Sequence, residues 1–242
     1  MKILNILTGT ALTVLCLAFT AKAQTDEQGF IPLFNGKDLT GWKGNPDLWS
    51  VKDGAITGQT KPDTKLGHNT FLVYTNKEFS DFELRLSFKI IGGNSGVQYR
   101  SKYIQDGKFG PIVGGYQADM DAGKNYTGIL YEERGRGILA TRGEKVLIKT
   151  DPANPSKFIK EKTGTLGSSE EIKAKIKDEE WNDYVIIAKG NRLQQFINGV
   201  QTIEVVDEDA PRAAKSGIIA LQLHVGPPMT VQFKNIRIKP LN

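Results

Sequence analysis

Cysteine is nearly missing from this 242-residue chain, occurring once, as Cys16. That cysteine falls in an N-terminal stretch with the pattern of an export signal. Lys2 supplies the positive start, Ile6 to Phe19 is mostly apolar, and Ala21-Lys22-Ala23 fits a small-x-small cleavage site before Gln24. With residues 1–23 removed as a signal peptide, residues 24–242 hold no thiol, which excludes disulfides, thiolate metal sites and cysteine nucleophiles. Leu15 precedes Cys16 where a lipoprotein signal carries a small residue, so a lipid anchor has little support. Long apolar runs are also missing. The signal run is shorter than the roughly 18 residues that a membrane span needs, and no other segment approaches that length. Nor is one sign of charge massed anywhere. Lys and Arg number 32 against 27 Asp and Glu, the basic residues are interspersed with acids, and Lys2 and Lys22 leave with the signal. Nucleic acid and membrane surfaces are therefore poor partners for this chain. Repeats, low-complexity tracts and Pro/Ser-rich linkers are absent, and residues 24–242 suit one domain with a single large core.

What is abundant is the short strand. Phe82, Leu84, Leu86, Phe88 and Ile90 alternate with polar residues, the period of a half-buried strand. Asp53-Gly54, Gly190-Asn191 and Asn198-Gly199 carry the turn chemistry of two-residue hairpins. Ile138 to Ile148 reads as a further hairpin turned at Gly143-Glu144, 101–114 as a Gly-rich loop, and 149–167 as an excursion without periodicity. Ser168 and Glu171 form a capping box that opens one short helix, with Ile172 and Ile176 on one side. A dozen or more strands with turns every 8 to 12 residues predict an all-β fold: a two-sheet antiparallel β-sandwich, of jelly-roll type, with one short helix.

The stretch from Gly93 to Asp121 stands out because its polar residues fall on one side of two strands. A period of two places Gln98 with Arg100, and Gln117 with Asp119 and Asp121. Leu221-Gln222-Leu223-His224 repeats the arrangement, with the leucines toward a core and Gln222 and His224 turned from it. An amphipathic strand ordinarily shows its polar side to water. Three such strands carrying amides and mixed charges, rather than Lys, Thr and Ser, point to a site. His68, with no second histidine near it in sequence, reads as an exposed loop residue.

Leu33-Phe34-Asn35-Gly36-Lys37-Asp38-Leu39-Thr40-Gly41-Trp42, Asn94-Ser95-Gly96 with Arg100, Gly115-Tyr116 leading to Asp119, Trp181-Asn182, Asn198-Gly199, Leu221-Gln222 and Phe233-Lys234-Asn235-Ile236 occur in order along the chain. No single one is specific, but together they resemble the 3-keto-disaccharide hydrolase domain family across essentially all of residues 24–242. The resemblance implies a concanavalin-like jelly roll with a sheet facing a sugar, and an exported enzyme acting on glycosides already oxidised at C3. A ketone at C3 acidifies the C2 hydrogen, so a base can remove it, the group at C1 can leave by β-elimination, and water can add back. Such a site needs a base, a group to stabilise the enolate oxygen, and hydrogen bonds to the other hydroxyls. On this reading His224 is the base, since imidazole accepts a proton near neutral pH, and Arg100 or a bound metal steadies the C3 oxygen. Gln98, Gln117, Asp119, Asp121 and Gln222 hold hydroxyls, or Asp119, Asp121 and His224 ligate a divalent cation, the one cofactor considered. Tyr131 and Glu132 border the pocket. Two other functions fit the same residues: a glucanase-like glycoside hydrolase using Asp119 and Asp121 as its acid pair, and a lectin-like carbohydrate-binding module without chemistry. A purely structural envelope protein is a weaker third.

Overall fold

The computed structural model describes residues 27–241, so the signal expected over residues 1–23, Cys16 included, lies outside the described residues. Seventeen strands follow in chain order. They are β1 (Ile31–Pro32), β2 (Trp42–Lys43), β3 (Trp49–Lys52), β4 (Ala55–Thr60), β5 (Thr70–Tyr74), β6 (Phe82–Ile91), β7 (Asn94–Gly107), β8 (Gly110–Asp121) and β9 (Leu130–Glu133). There follow β10 (Gly137–Ala140), β11 (Glu144–Thr150), β12 (Phe158–Thr165), β13 (Asn182–Lys189), β14 (Arg192–Ile197), β15 (Val200–Glu208), β16 (Ile218–Leu223) and β17 (Met229–Pro240). A ten-stranded sheet runs in the order β12-β11-β15-β14-β13-β6-β17-β4-β3, with β1 on β17; a seven-stranded sheet runs β10-β9-β8-β7-β16-β5-β2.

The two sheets pack through one apolar core, as a jelly-roll sandwich requires. On β6 the alternating Phe82, Leu84, Leu86, Phe88 and Ile90 are all buried, and its neighbour β13 answers with Tyr184, Ile186 and Ala188. From the seven-stranded sheet come Val97 and Tyr99, Tyr116, Ala118 and Met120, and Leu221 and Leu223. The Phe82 and Tyr99 rings meet edge to face across the layer at 6.2 Å. Each fully buried side chain of this kind contributes about 1.5–3 kcal/mol relative to exposure.

The tight turns follow the sequence. Asn198 and Gly199 both take positive φ, 48° and 81°, and set Ile197 opposite Val200. Ser168 caps α1 (Ser169–Lys173), the one helix among the described residues, through the expected capping box, and Ile172 and Ile176 are buried.

Three expectations fail. Residues 101–114 are no loop, because β7 and β8 continue as one long hairpin almost to Lys108-Phe109. Ile138–Ile148 is no hairpin: β10 stays in the seven-stranded sheet beside β9, and the chain then crosses to the other sheet, where β11 pairs antiparallel with β12 and parallel with β15. Within the supposed excursion, β12 forms the edge of the ten-stranded sheet. An edge strand lying mostly in solvent needs no apolar alternation, so Phe158–Thr165 carried none to read.

Candidate functional site

Strands β7, β8, β9 and β16 adjoin in the seven-stranded sheet, and the face they turn from the core carries a connected polar layer. Ser101 Oγ donates to Gln98 Oε1 at 2.7 Å, and Gln98 Nε2 donates to Gln117 Oε1 at 2.6 Å. Gln117 Nε2 reaches Asp119 Oδ2 at 3.3 Å and Gln222 Oε1 at 3.4 Å, and Gln222 Nε2 donates to Glu133 Oε2 at 3.3 Å. Asn94 Nδ2 donates to Asp119 Oδ1 at 2.8 Å. Gly96 makes this crossing of side chains feasible: a Cβ there would stand 2.4 Å from Gln117 Cγ.

Above the layer opens a cavity of about 370 Å³, lined by Asn94, Gln117, Asp119, Tyr131, Glu133 and His224, with Asp121 at its margin. Tyr126, Ile129 and Ile138 give it an apolar wall. Its size lies within the ~300–1,000 Å³ typical of small-molecule sites. Burial raises the Asp119 carboxyl to about 7, against the hydrogen bonds from Asn94 and Gln117 and with help from the neighbouring Asp121 charge. Burial likewise raises Glu133, opposed by Asn69, by His224 and by Arg134. Tyr131 is raised by burial and by the charges of Glu133 and Asp119. At neutral pH this cavity therefore offers a carboxyl poised between its two forms, a phenol that stays protonated, and an imidazole. His224 Nδ1 lies in hydrogen-bonding contact with the Val225 carbonyl. A carbonyl only accepts, so that contact puts the proton on Nδ1 and leaves the Nε2 lone pair free.

Asn69 ties the histidine turn to the carboxylate. Its amide donates to both Glu133 oxygens at 3.2 Å, and its Oδ1 accepts from the Val225 N–H at 2.9 Å.

Several expected site residues lie elsewhere. Between the pairs Tyr99–Tyr116 and Lys102–Gly114, the two residues Arg100 and Ser101 oppose Gly115 alone, a β-bulge with Arg100 at φ 47°. The extra residue breaks the period of two, so Arg100 does not share the face of Gln98. Arg100 is 1% exposed and is spent on the Ser80, Gly190 and Ala214 carbonyls and on Asp81, its ion-pair partner at 2.8 Å. Its expected place beside a substrate oxygen is thereby corrected. Glu132 also points away, since Tyr131 and Glu133 take the cavity side of β9. Glu132 grips Arg136 at 2.7 Å, and Arg136 in turn holds Asp207 at 2.6 Å. Gln98 and Gln222 are fully covered and reach the cavity only through Gln117 and Glu133.

Asp121 spends its carboxylate on a loop. Oδ1 accepts from the Tyr126 and Thr127 N–H groups at 2.8 and 3.1 Å, and Oδ2 accepts from the Asn125 N–H at 3.2 Å. The acid pair of Asp119 and Asp121 is thus not a free pair. The metal set of Asp119, Asp121 and His224 does not form either: among the described residues no group of three or more His, Cys, Asp or Glu is placed to hold a metal ion. His68 is half-buried rather than exposed, 5.5 Å from the Phe109 ring.

Glu133, Asn94 and Asn69 were missed. Glu133 was legible as the residue two beyond Tyr131, and Asn94 as the residue four before Gln98, whereas Asn69 had no periodic signal. A larger cavity of about 540 Å³ lies at Arg100, Tyr116 and Asp207. Its buried charged groups are paired, Arg100 with Asp81 and Asp207 with Arg136, and only the exposed Glu208 and Lys215 are left at it, so the smaller cavity is the candidate site.

Comparison with known proteins agrees with this architecture. The profile of the 3-keto-alpha-glucoside-1,2-lyase-like domain matches residues 29–239. A 3-keto-disaccharide hydrolase of Bacteroides thetaiotaomicron is 33% identical over 87 residues, a match covering 33% of this chain and 30% of that protein. Among solved structures, a presumed glycosyl hydrolase from Parabacteroides distasonis is similar with a TM-score of 0.55 and 23% identity over 90% of this chain and 97% of that one. A carbohydrate-binding module of Bacillus subtilis, CBM66, is similar with a TM-score of 0.51 and 16% identity over 82% and 95%. At those identities the two structures attest the fold. Among the described residues no helix is long and apolar enough to cross a membrane.

Proposed function

The chain belongs to the 3-keto-alpha-glucoside-1,2-lyase-like domain family, and from that membership and the polar cavity we propose that it is a carbohydrate-active enzyme cleaving 3-keto glycosides. The observation that carries the proposal is the convergence of His224, Glu133, Asp119, Gln117, Asn94 and Tyr131 on one cavity of about 370 Å³. Removing a hydrogen beside a ketone needs a base with a free lone pair, and His224 Nε2 supplies one. As the C2–H bond breaks, its electron pair moves into the C2–C3 bond and charge collects on the C3 oxygen. Asp119 in its protonated form donates to that oxygen, the role Arg100 cannot fill. The pair then returns to form C1=C2, the C1–O bond breaks, and the leaving oxygen takes a proton. Water adds its hydroxyl to C1 and its proton to C2, giving net hydrolysis. Gln117, Asn94 and Tyr131 orient the remaining hydroxyls. The proposal includes export through residues 1–23, so that the enzyme works in the periplasm or outside the cell.

The test is incubation with 3-keto-glucosides and identification of products by mass. Wild type releases the aglycone, and His224→Ala loses at least 100-fold in kcat, whereas unoxidised glucosides are not cleaved. Near-normal turnover by His224→Ala would remove the base assignment, and cleavage of unoxidised glucosides at an equal rate would remove the mechanism.

A further inference from the structure

A second cleft, of about 600 Å³, adjoins the candidate site and shares Glu133 with it. It forms where the turn after β9 comes beside Gly114 and Gly115, in the middle of β8, and beside the bulged part of β7. Its apolar surface is supplied by Ile104, half-exposed at 50%, and by Phe158, over whose ring the Arg136 guanidinium sits at 5.8 Å. Most charges lining it are spent: Glu132 and Arg136 on each other, and Arg212 on Asp209. Two cations are not. Lys102 and Arg134 line the cleft, are exposed, and their side chains make no hydrogen bond or ion pair among the described residues. Arg134 is close enough for its charge to act on Glu133, the wall between the two cavities.

A glycoside has two parts joined at one oxygen, and this surface has two cavities joined at one residue. We propose that the cleft is the subsite for the group released from C1, and that it selects an apolar, ring-sized aglycone bearing an anionic substituent. The apolar surface of Ile104 and Phe158 covers the body of that group, and Lys102 and Arg134 meet its negative charge. The proposal rests on the reading of the adjoining cavity as a 3-keto-glycoside site. Neutral aglycones also enter, but without the ionic contribution.

The test compares two 3-keto-glucosides with similar leaving groups, one of 4-hydroxybenzoate and one of its methyl ester, on wild type and on Lys102→Glu/Arg134→Glu. Both positions are exposed, and a thermal melt verifies that the double variant folds. Wild type is expected to show a KM roughly five- to tenfold lower for the carboxylate than for the ester at low salt. That advantage should shrink as ionic strength rises, and the double variant should abolish or reverse it. Turnover of both substrates with equal KM in wild type, or a carboxylate advantage that survives the double variant, overturns the subsite while leaving the catalytic reading intact. Absence of turnover of either substrate by wild type overturns the catalytic reading, and the subsite with it.

Discussion

Asp119 is the residue on which burial acts most usefully. Its carboxyl sits at about 7 because the cavity floor withdraws it from water. If its protonated form donates to the C3 oxygen, the rate falls as pH rises through about 7. Asp119→Asn is neutral throughout and should lose that alkaline limb, as a kcat/KM profile from pH 5 to 9 would show. The same shift governs stability. A carboxyl raised in the folded state favours folding fully below the unfolded value near 4 and loses that contribution as pH climbs through about 7. Melts of Asp119→Asn should therefore match wild type near pH 4 and gain on it above pH 7. Asn69 works through other groups. Asn69→Ala frees both Glu133 and the turn after His224, and a loss of about tenfold in kcat with a changed acid limb is expected; loss of Tm alone would mark Asn69 as merely structural. Asp119 and Gln117 were legible in the sequence because both lie on an undistorted part of β8, where counting by two assigns the face, and His224, one residue past the end of β16, was legible because it continues that strand's alternation. Glu132 was misread for want of that count: the core-facing Leu130 puts Glu132 on the core side and Glu133 in the cavity.

The element that decides the site is the β7–β8 hairpin. Its bulge sends Arg100 inward to staple β7 to Gly190, at the turn between β13 and β14, and to the Ser80-Asp81 segment. Arg100→Ala would strand three carbonyls and loosen Asp81, at a cost of about 2–3 kcal/mol. A fall in Tm of several degrees, with kcat per folded molecule retained, separates this stapling role from a catalytic one. Gly96→Ala tests the other side of the hairpin. The added Cβ collides with the Gln117 side chain, so KM should rise more than Tm falls, as paired kinetics and melts would reveal. A bulge inserts one residue without any fixed residue type, which is why alternation across Tyr99-Arg100-Ser101 misled. Likewise β12 was hidden because a solvated edge imposes no apolar pattern, and the crossing from β10 to β11 because two short consecutive strands joined through Gly143 read as a hairpin whether or not they pair.

For the whole molecule, the sandwich was readable because most of the seventeen strands among the described residues show themselves through period and turns, and the one helix among those residues through its capping box. Which strands adjoin was less so, since pairing between β16 and β7 joins residues more than a hundred positions apart. That adjacency is what carries His224 to the side of Gln117 and Asp119. Export is tested by fractionating cells and sequencing the N-terminus: a mature chain beginning at Gln24 outside the cytoplasm is expected, and intact cytoplasmic protein would contradict it. The central claim is that this face removes a proton from C2 of a 3-keto sugar. Cleavage of a 3-keto-glucoside in deuterium oxide, followed by NMR of the released keto-sugar at early times, measures it directly. One deuterium at C2, delivered by wild type and not by His224→Ala, is the predicted result; cleavage that leaves the original hydrogen at C2 would contradict it.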